Sequence, residues 1–243
     1  MSEYTISNKK MLFSNNFKGP LEYKMLYDMK KVKIIKFGSE FNHSIDEIPE
    51  GIIKIKLGLL FNRPIGRIPS TLKKLKLSGY FNRPIDNLCQ YKPKIGELET
   101  LILGHSFNNT IDKLPNSIKY LELGYSFNNP VNNLPINLEV LKFGAHFNQP
   151  VDLLPSSIKF IRFGIHFNQT IDNLPNSLEK IDFGNKFQQS INNLPDSVKE
   201  IYFDRDYNQK IDKLPKSLEK ICLSHNYTLP LPETNAVIEY GSY

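Results

Sequence analysis

Cysteine is scarce in this chain of 243 residues: only Cys89 and Cys222 are present. A bridge between them would need Cα atoms within about 7 Å. So few thiols fit a reducing, intracellular compartment. Long apolar runs are also missing. No stretch reaches the roughly 18 apolar residues of a membrane helix, and the first ten residues, MSEYTISNKK, hold neither a signal run nor an Arg-rich amphipathic pattern. No phosphate loop, paired-His zinc helix, CxxC pair or nucleophile elbow occurs. Enzyme classes that rest on those motifs are thereby excluded. No cofactor, small-molecule substrate or membrane is expected, and the expected location is the cytoplasm.

What the chain has instead is a period. A Phe-Asn pair stands at Phe41-Asn42, Phe61-Asn62, Phe81-Asn82, Phe107-Asn108, Phe127-Asn128, Phe147-Asn148 and Phe167-Asn168. It drifts to Phe187-Gln188, Tyr207-Asn208 and Tyr227-Thr228. The spacing is 20 residues, except 26 between Phe81 and Phe107. A fixed period of this size marks a stacked repeat array, in which residues one period apart become neighbours. Sequons at Asn42, Asn108, Asn168 and Asn226 are mostly by-products of this repetition.

One unit can be numbered from Leu178 in LEKIDFG, with apolar residues at positions 1, 4 and 6. The alternation at its end is strand periodicity. Position 7 is Gly at 38, 58, 104, 124, 144, 164 and 184, with Ser78, Asp204 and Ser224 in other units. All tolerate a turn, and Gly does so without a Cβ. Position 10 is the aromatic, so Phe41, Phe61, Phe81, Phe107, Phe127, Phe147, Phe167 and Phe187 are expected to pile into an internal spine. The following Asn can satisfy backbone groups of its own and the adjacent turn. Position 14 is Ile or Val, and position 17 is Leu or Ile, usually before Pro. Proline disfavours helix, so the return side should be extended or polyproline-like. The strands should form a parallel sheet along one face.

The L-x-x-L-x-L strand pattern resembles the leucine-rich repeat, and LPNSLEKI, Leu174 to Ile181, the short 20-residue class. FGSEFN (Phe37 to Asn42), FGAHFN (Phe143 to Asn148), FGIHFN (Phe163 to Asn168), FNRPI (Phe61 to Ile65) and FNQPV (Phe147 to Val151) are more specific. They resemble the FNIP-repeat family, also described by an FGxxFN motif, of social amoebae and giant viruses of protists. The resemblance covers about 32–231. It implies a leucine-rich-repeat-like right-handed solenoid, a horseshoe with its sheet on the concave face, and a binding role. A viral member would work in host cytoplasm. Some members carry an F-box. Residues 1–31 are too short for one, so a ubiquitin-ligase receptor here would act without its own F-box.

The expected organisation is an N-terminal cap with a worn repeat over 1–31, repeats over 32–231, and a C-terminal cap or tail over 232–243. In the cap, Tyr4 to Ser7 should pair with Met11 to Phe13, and Leu21, Met25 and Met29 suggest a short helix. Val237, Ile238 and Tyr240 read as a closing strand or docked tail. An insertion at 89–97 replaces a proline turn and reads as a return-side loop, either neutral or a partner contact.

Charge is uneven. Residues 1–98 hold 18 Lys/Arg and 9 Asp/Glu, a net of +9; the rest hold 13 and 16, a net of −3. Position 2 alternates in sign along Glu99, Lys119, Glu139, Lys159, Glu179, Lys199 and Glu219, which suits a parallel stack. The outward strand positions, 3 and 5, are the candidate site. They carry Ile102, Tyr120, Val140, Phe160, Arg162 and Tyr202 as a protein-binding face. They also carry a basic patch of Lys36, Lys54, Lys56, Lys74 and Lys76. The expected partner is a protein or a second copy of the chain. Nucleic acid or an acidic partner at the lysines is the alternative, though the lack of interleaved aromatics disfavours single-strand stacking. His146 and His166 should lie about 5 Å apart on adjacent coils, yet a zinc site would want further ligands. The column Asp86, Asp112, Asp152, Asp172 and Asp212 reads as turn chemistry, not a calcium ladder.

Overall fold

A computed structural model describes residues 3–89 and 98–241. The expectation for the insertion falls on 90–97, which lie outside the described residues, as does the side chain of Cys89. The chain divides into two compact units, Met1–Gly124 and Tyr125–Tyr243.

The first unit opens with β1 (Tyr4–Ser7) and β2 (Lys10–Phe13), an antiparallel hairpin pairing Tyr4 with Phe13 and Ser7 with Lys10. Its two turn residues, Asn8 and Lys9, have φ of 47° and 59°. Two successive left-handed residues make the hairpin turn whose twist matches the strands. Helix α1 (Tyr23–Met29) follows and buries Met25 and Met29. Five three-residue strands then stack in parallel on β2: β3 (Ile34–Lys36), β4 (Lys54–Lys56), β5 (Lys74–Lys76), β6 (Thr100–Ile102) and β7 (Tyr120–Glu122). The second unit holds β8 (Val140–Lys142), β9 (Phe160–Arg162), β10 (Lys180–Asp182), β11 (Glu200–Tyr202), β12 (Lys220–Leu223) and β13 (Val237–Tyr240). These are parallel and in order. The fold is a parallel β-solenoid with little helix.

The register follows the period. Ile161 pairs with Ile181 and Ile181 with Ile201, each 0 % exposed. The spine forms in each unit. Rings of Phe41, Phe61, Phe81 and Phe107 stack in sequence at 6.0–6.2 Å, as do Phe127, Phe147, Phe167 and Phe187 at 6.1 Å. A second column was not foreseen. Position-6 rings lie flat on position-10 rings of the same coil: Phe143 on Phe147 at 3.8 Å, Phe163 on Phe167 at 3.7 Å, Phe183 on Phe187 at 4.0 Å. Each fully buried ring contributes about 1.5–3 kcal/mol of transfer free energy.

Polar ladders hold the coils together. The Asn148 side-chain oxygen accepts from the backbone N–H of Asn168 at 2.9 Å, and the Asn168 oxygen accepts from Gln188 N–H at 2.9 Å. The same bond links Asn42 to Asn62 and Asn62 to Asn82. The asparagine thus serves the neighbouring coil. Serines form another ladder: the hydroxyls of Ser157, Ser177 and Ser197 donate to the carbonyls of Leu138, Ile158 and Leu178 at 2.7 Å. The aspartate column also bonds between coils. Asn173 and Asn193 amides donate to Asp152 and Asp172. On the return side Pro155 and Pro175 carbonyls accept from the N–H groups of Ile158 and Leu178, closing a turn.

The position-7 glycines require a different explanation from the one expected. The left-handed glycines among the described residues are Gly51 and Gly79, neither in the main glycine column. A Cβ on Gly164 would lie 1.8 Å from the carbonyl oxygen of Gly144, and one on Gly58 1.7 Å from that of Gly38. The column is glycine because adjacent coils approach closely there.

Candidate partner-binding face

Outward residues of successive strands fall into two rows. In the second unit one row runs Val140, Phe160, Lys180, Glu200, Lys220, and the other Lys142, Arg162, Asp182, Tyr202, Cys222. β-Strand alternation turns these side chains from the core, while the central residues Leu141, Ile161, Ile181 and Ile201 are 0 % exposed.

The rows form a mosaic of rings and charges. Phe160 has Lys142 Nζ, Lys180 Nζ and Arg162 Cζ at 5.7, 5.9 and 6.0 Å from its centroid. Lys180 Nζ also lies 4.4 Å from the Tyr202 ring. Cations at such distances are drawn to the ring quadrupole. Arg162 Nε donates to Asp182 at 2.6 Å, Lys180 Nζ to Glu200 at 2.6 Å, and the Tyr202 hydroxyl to Glu200 at 2.7 Å. The bonds from Lys180 and Tyr202 hold the Glu200 carboxyl below the usual glutamate range. Burial, then the Glu200 bond and charge, pushes the Tyr202 phenol up. Burial alone would lower Lys180, but the bonds and charge of Glu200 and Tyr202 outweigh it and raise the ammonium.

The expected apolar face is therefore more polar than its apolar residues suggested. Val140, Phe160 and Tyr202 are half-buried and Arg162 is exposed. Cys222, in an outward position, is 0 % exposed, and its thiol donates to the Glu239 carboxylate of β13 at 3.6 Å. In the first unit Tyr120 is half-buried and its hydroxyl donates to Glu122 at 2.8 Å. Ile102 must be removed from the expected face, because it is only 9 % exposed. Its register neighbours are Lys76 and Glu122, whose long stems can cover a shorter side chain.

The five lysines of the basic patch share this first unit. Lys54 pairs in register with Lys74, and Lys36, Lys56 and Lys76 form the second row. His146 and His166 rings meet edge to face at 5.3 Å, and Tyr125 lies 4.6 Å from His146. Among the described residues no group of three or more His, Cys, Asp or Glu could hold a metal ion. The alternating position-2 charges meet at Glu179 and Lys199, 3.3 Å apart. At this exposure the pair contributes about 0–1 kcal/mol. Among the described residues no helix is long and apolar enough to cross a membrane. Exposed Leu59, Leu60 and Tyr80, at the turn after the strands, escaped the sequence reading because turn positions carry no fixed hydrophobic pattern.

The model of the FNIP Repeat matches residues 97–126, 107–144, 127–166, 147–186 and 187–226. Together these cover more than half of the chain. The chain belongs to the FNIP repeat family. Among solved structures these FNIP repeats are similar to CroV588, a giant-virus protein described as a novel circular LRR protein, at 31 % identity and a TM-score of 0.76. That similarity covers 99 % of this chain and 41 % of CroV588, so the chain spans about two fifths of that protein. A leucine-rich repeat protein from Bacteroides ovatus matches at 11 % identity and a TM-score of 0.19, over 99 % of this chain and 91 % of that one, and carries no argument. No curated protein matches the sequence.

Proposed function

We propose that this FNIP-repeat chain is a non-enzymatic scaffold that binds a protein partner through the outward positions of its strands. Tyr120 serves in the first unit, and Val140, Phe160, Arg162 and Tyr202 in the second. The observation that carries this reading is the ring-and-cation mosaic around Phe160 and Tyr202. Aromatic residues and Arg are the types that dominate binding energy in protein interfaces. Rings already held by flanking cations lose little side-chain freedom on binding.

A second copy of the chain is one version of that partner. Among the described residues strand β13 ends the strand order of its unit, with Val237, Ile238 and Tyr240 57, 39 and 51 % exposed. Such an edge offers unpaired backbone groups for strand addition. The test is the double substitution Phe160→Ala with Tyr202→Ala. Affinity capture should show the partner lost from the variant at an unchanged melting temperature, while a dimer built on the β13 edge should persist in sedimentation. Binding equal to that of the parent chain would reject the proposal.

A further inference from the structure

The first unit holds a cleft of about 410 Å³ lined by Lys36, Lys56, Lys76, Asn15, Ser39 and Ser78. Its three lysines are direct register partners on β3, β4 and β5. Adjacent strands lie about 4.8 Å apart, so three ammonium groups are rooted in one straight row. Like charges directly opposite on a sheet destabilise it. Among the described residues, no ion pair involves Lys36, Lys54, Lys56, Lys74 or Lys76. Burial, then the charges of Lys36, Lys76 and Lys54, pulls the Lys56 ammonium below the usual lysine value. The fold thus tolerates an uncompensated positive ladder at the rim of a cleft.

The corresponding cleft of the second unit differs. It has about 360 Å³ and is lined by Arg162, Asp182 and Asp204 among others. There Arg162 donates to Asp182 at 2.6 Å, so its charge is already answered. The concentration of cations belongs to the first cleft.

We propose that the cleft beside Lys36, Lys56 and Lys76 binds the oligophosphate group of a small ligand. This is independent of the partner-binding reading, which uses other residues. Each lysine acts as a point charge toward phosphate, and a row of cations matches linked phosphates better than a single carboxylate. The volume is that of a small-molecule site. A single-stranded nucleic acid would want exposed rings for stacking, and the one ring lining the cleft, Phe37, is only 2 % exposed. The ligand is either a free oligophosphate or the tail of a nucleotide. Leu59, 49 % exposed at the cleft, would offer an apolar seat to a nucleoside.

The test titrates the full chain with inorganic triphosphate, ATP, a phosphate-free oligoglutamate and single-stranded DNA, by calorimetry. Triphosphate is expected to bind, and Lys56→Gln to weaken it about tenfold or more while raising the melting temperature by about 1–3 °C. Lys54→Gln and Lys74→Gln, in the other row, should weaken it by less than about threefold. Tighter binding of ATP than of triphosphate assigns the site to a nucleotide; equal or weaker binding assigns it to the free oligophosphate. Any of three results overturns the proposal: no triphosphate binding at about 1 mM, equal losses from both lysine rows, or oligoglutamate or DNA binding as tightly as triphosphate. Lys56→Gln keeps a polar side chain only one atom shorter and removes a repulsion, so failure to fold would also contradict it.

Discussion

Truncating Phe147 to alanine should be among the most damaging single changes in the second unit. The ring is 0 % exposed. It lies on Phe143 at 3.8 Å within its coil, and on Phe127 and Phe167 at 6.1 Å in the coils to either side. Removing a buried phenylalanine costs about 3–5 kcal/mol, depending on how far the site can collapse. Here collapse is opposed. The Asn128 side chain accepts from Asn148 N–H, and that of Asn148 from Asn168 N–H, both at 2.9 Å. These bonds set the coil spacing, so neighbouring rings cannot close the gap without breaking them. Three ring contacts are lost together, each worth about 0.5–1.5 kcal/mol, a sum that overlaps the burial term. The expected loss is therefore near the top of the range, about 4–5 kcal/mol. Urea unfolding followed by far-UV circular dichroism measures it. Hydrogen exchange should show the loosening centred on the 127 and 167 coils, because a repeat array couples chiefly nearest neighbours. Phe160→Ala, on the outward face, is the internal control at less than about 1 kcal/mol. A Phe147→Ala loss below about 1.5 kcal/mol would refute the reasoning, since the spine would then not be a close-packed core.

Two further substitutions probe the coil contacts. Gly164→Ala should destabilise by about 3 kcal/mol or more in the same assay, because its Cβ would meet the Gly144 carbonyl oxygen 1.8 Å away and backbone must move; a change below about 1 kcal/mol would show that the coils separate easily. Asn148→Ala should cost about 1–3 kcal/mol by leaving the part-buried Asn168 N–H without its acceptor, and amide exchange at Asn168 should quicken; unchanged exchange would mean that the ladder bond is not what protects it.

Much of the fold was legible because the period is constant. Once residues 20 apart are neighbours, the parallel register, the aromatic spine and the side-chain oxygens that serve the next coil follow from residue type alone. The cap elements were legible for local reasons. Asn8 and Lys9 separate two short strands, and Met25 and Met29 recur at helical spacing. The candidate site was less legible. Its rows were foreseen, but Ile102 was assigned to an open surface that does not expose it.

The amino-acid order by itself determined which residues share a row, since that depends only on counting along a repeat whose apolar positions must all face one core. Tertiary structure alone decided how much of each row meets solvent and why the glycine column exists. Exposure depends on the reach of side chains from both flanking strands, as Lys76 and Glu122 beside Ile102 illustrate. The glycines answer to a neighbouring carbonyl, not to their own dihedral angles. Both are properties of surfaces in contact, which no single repeat contains.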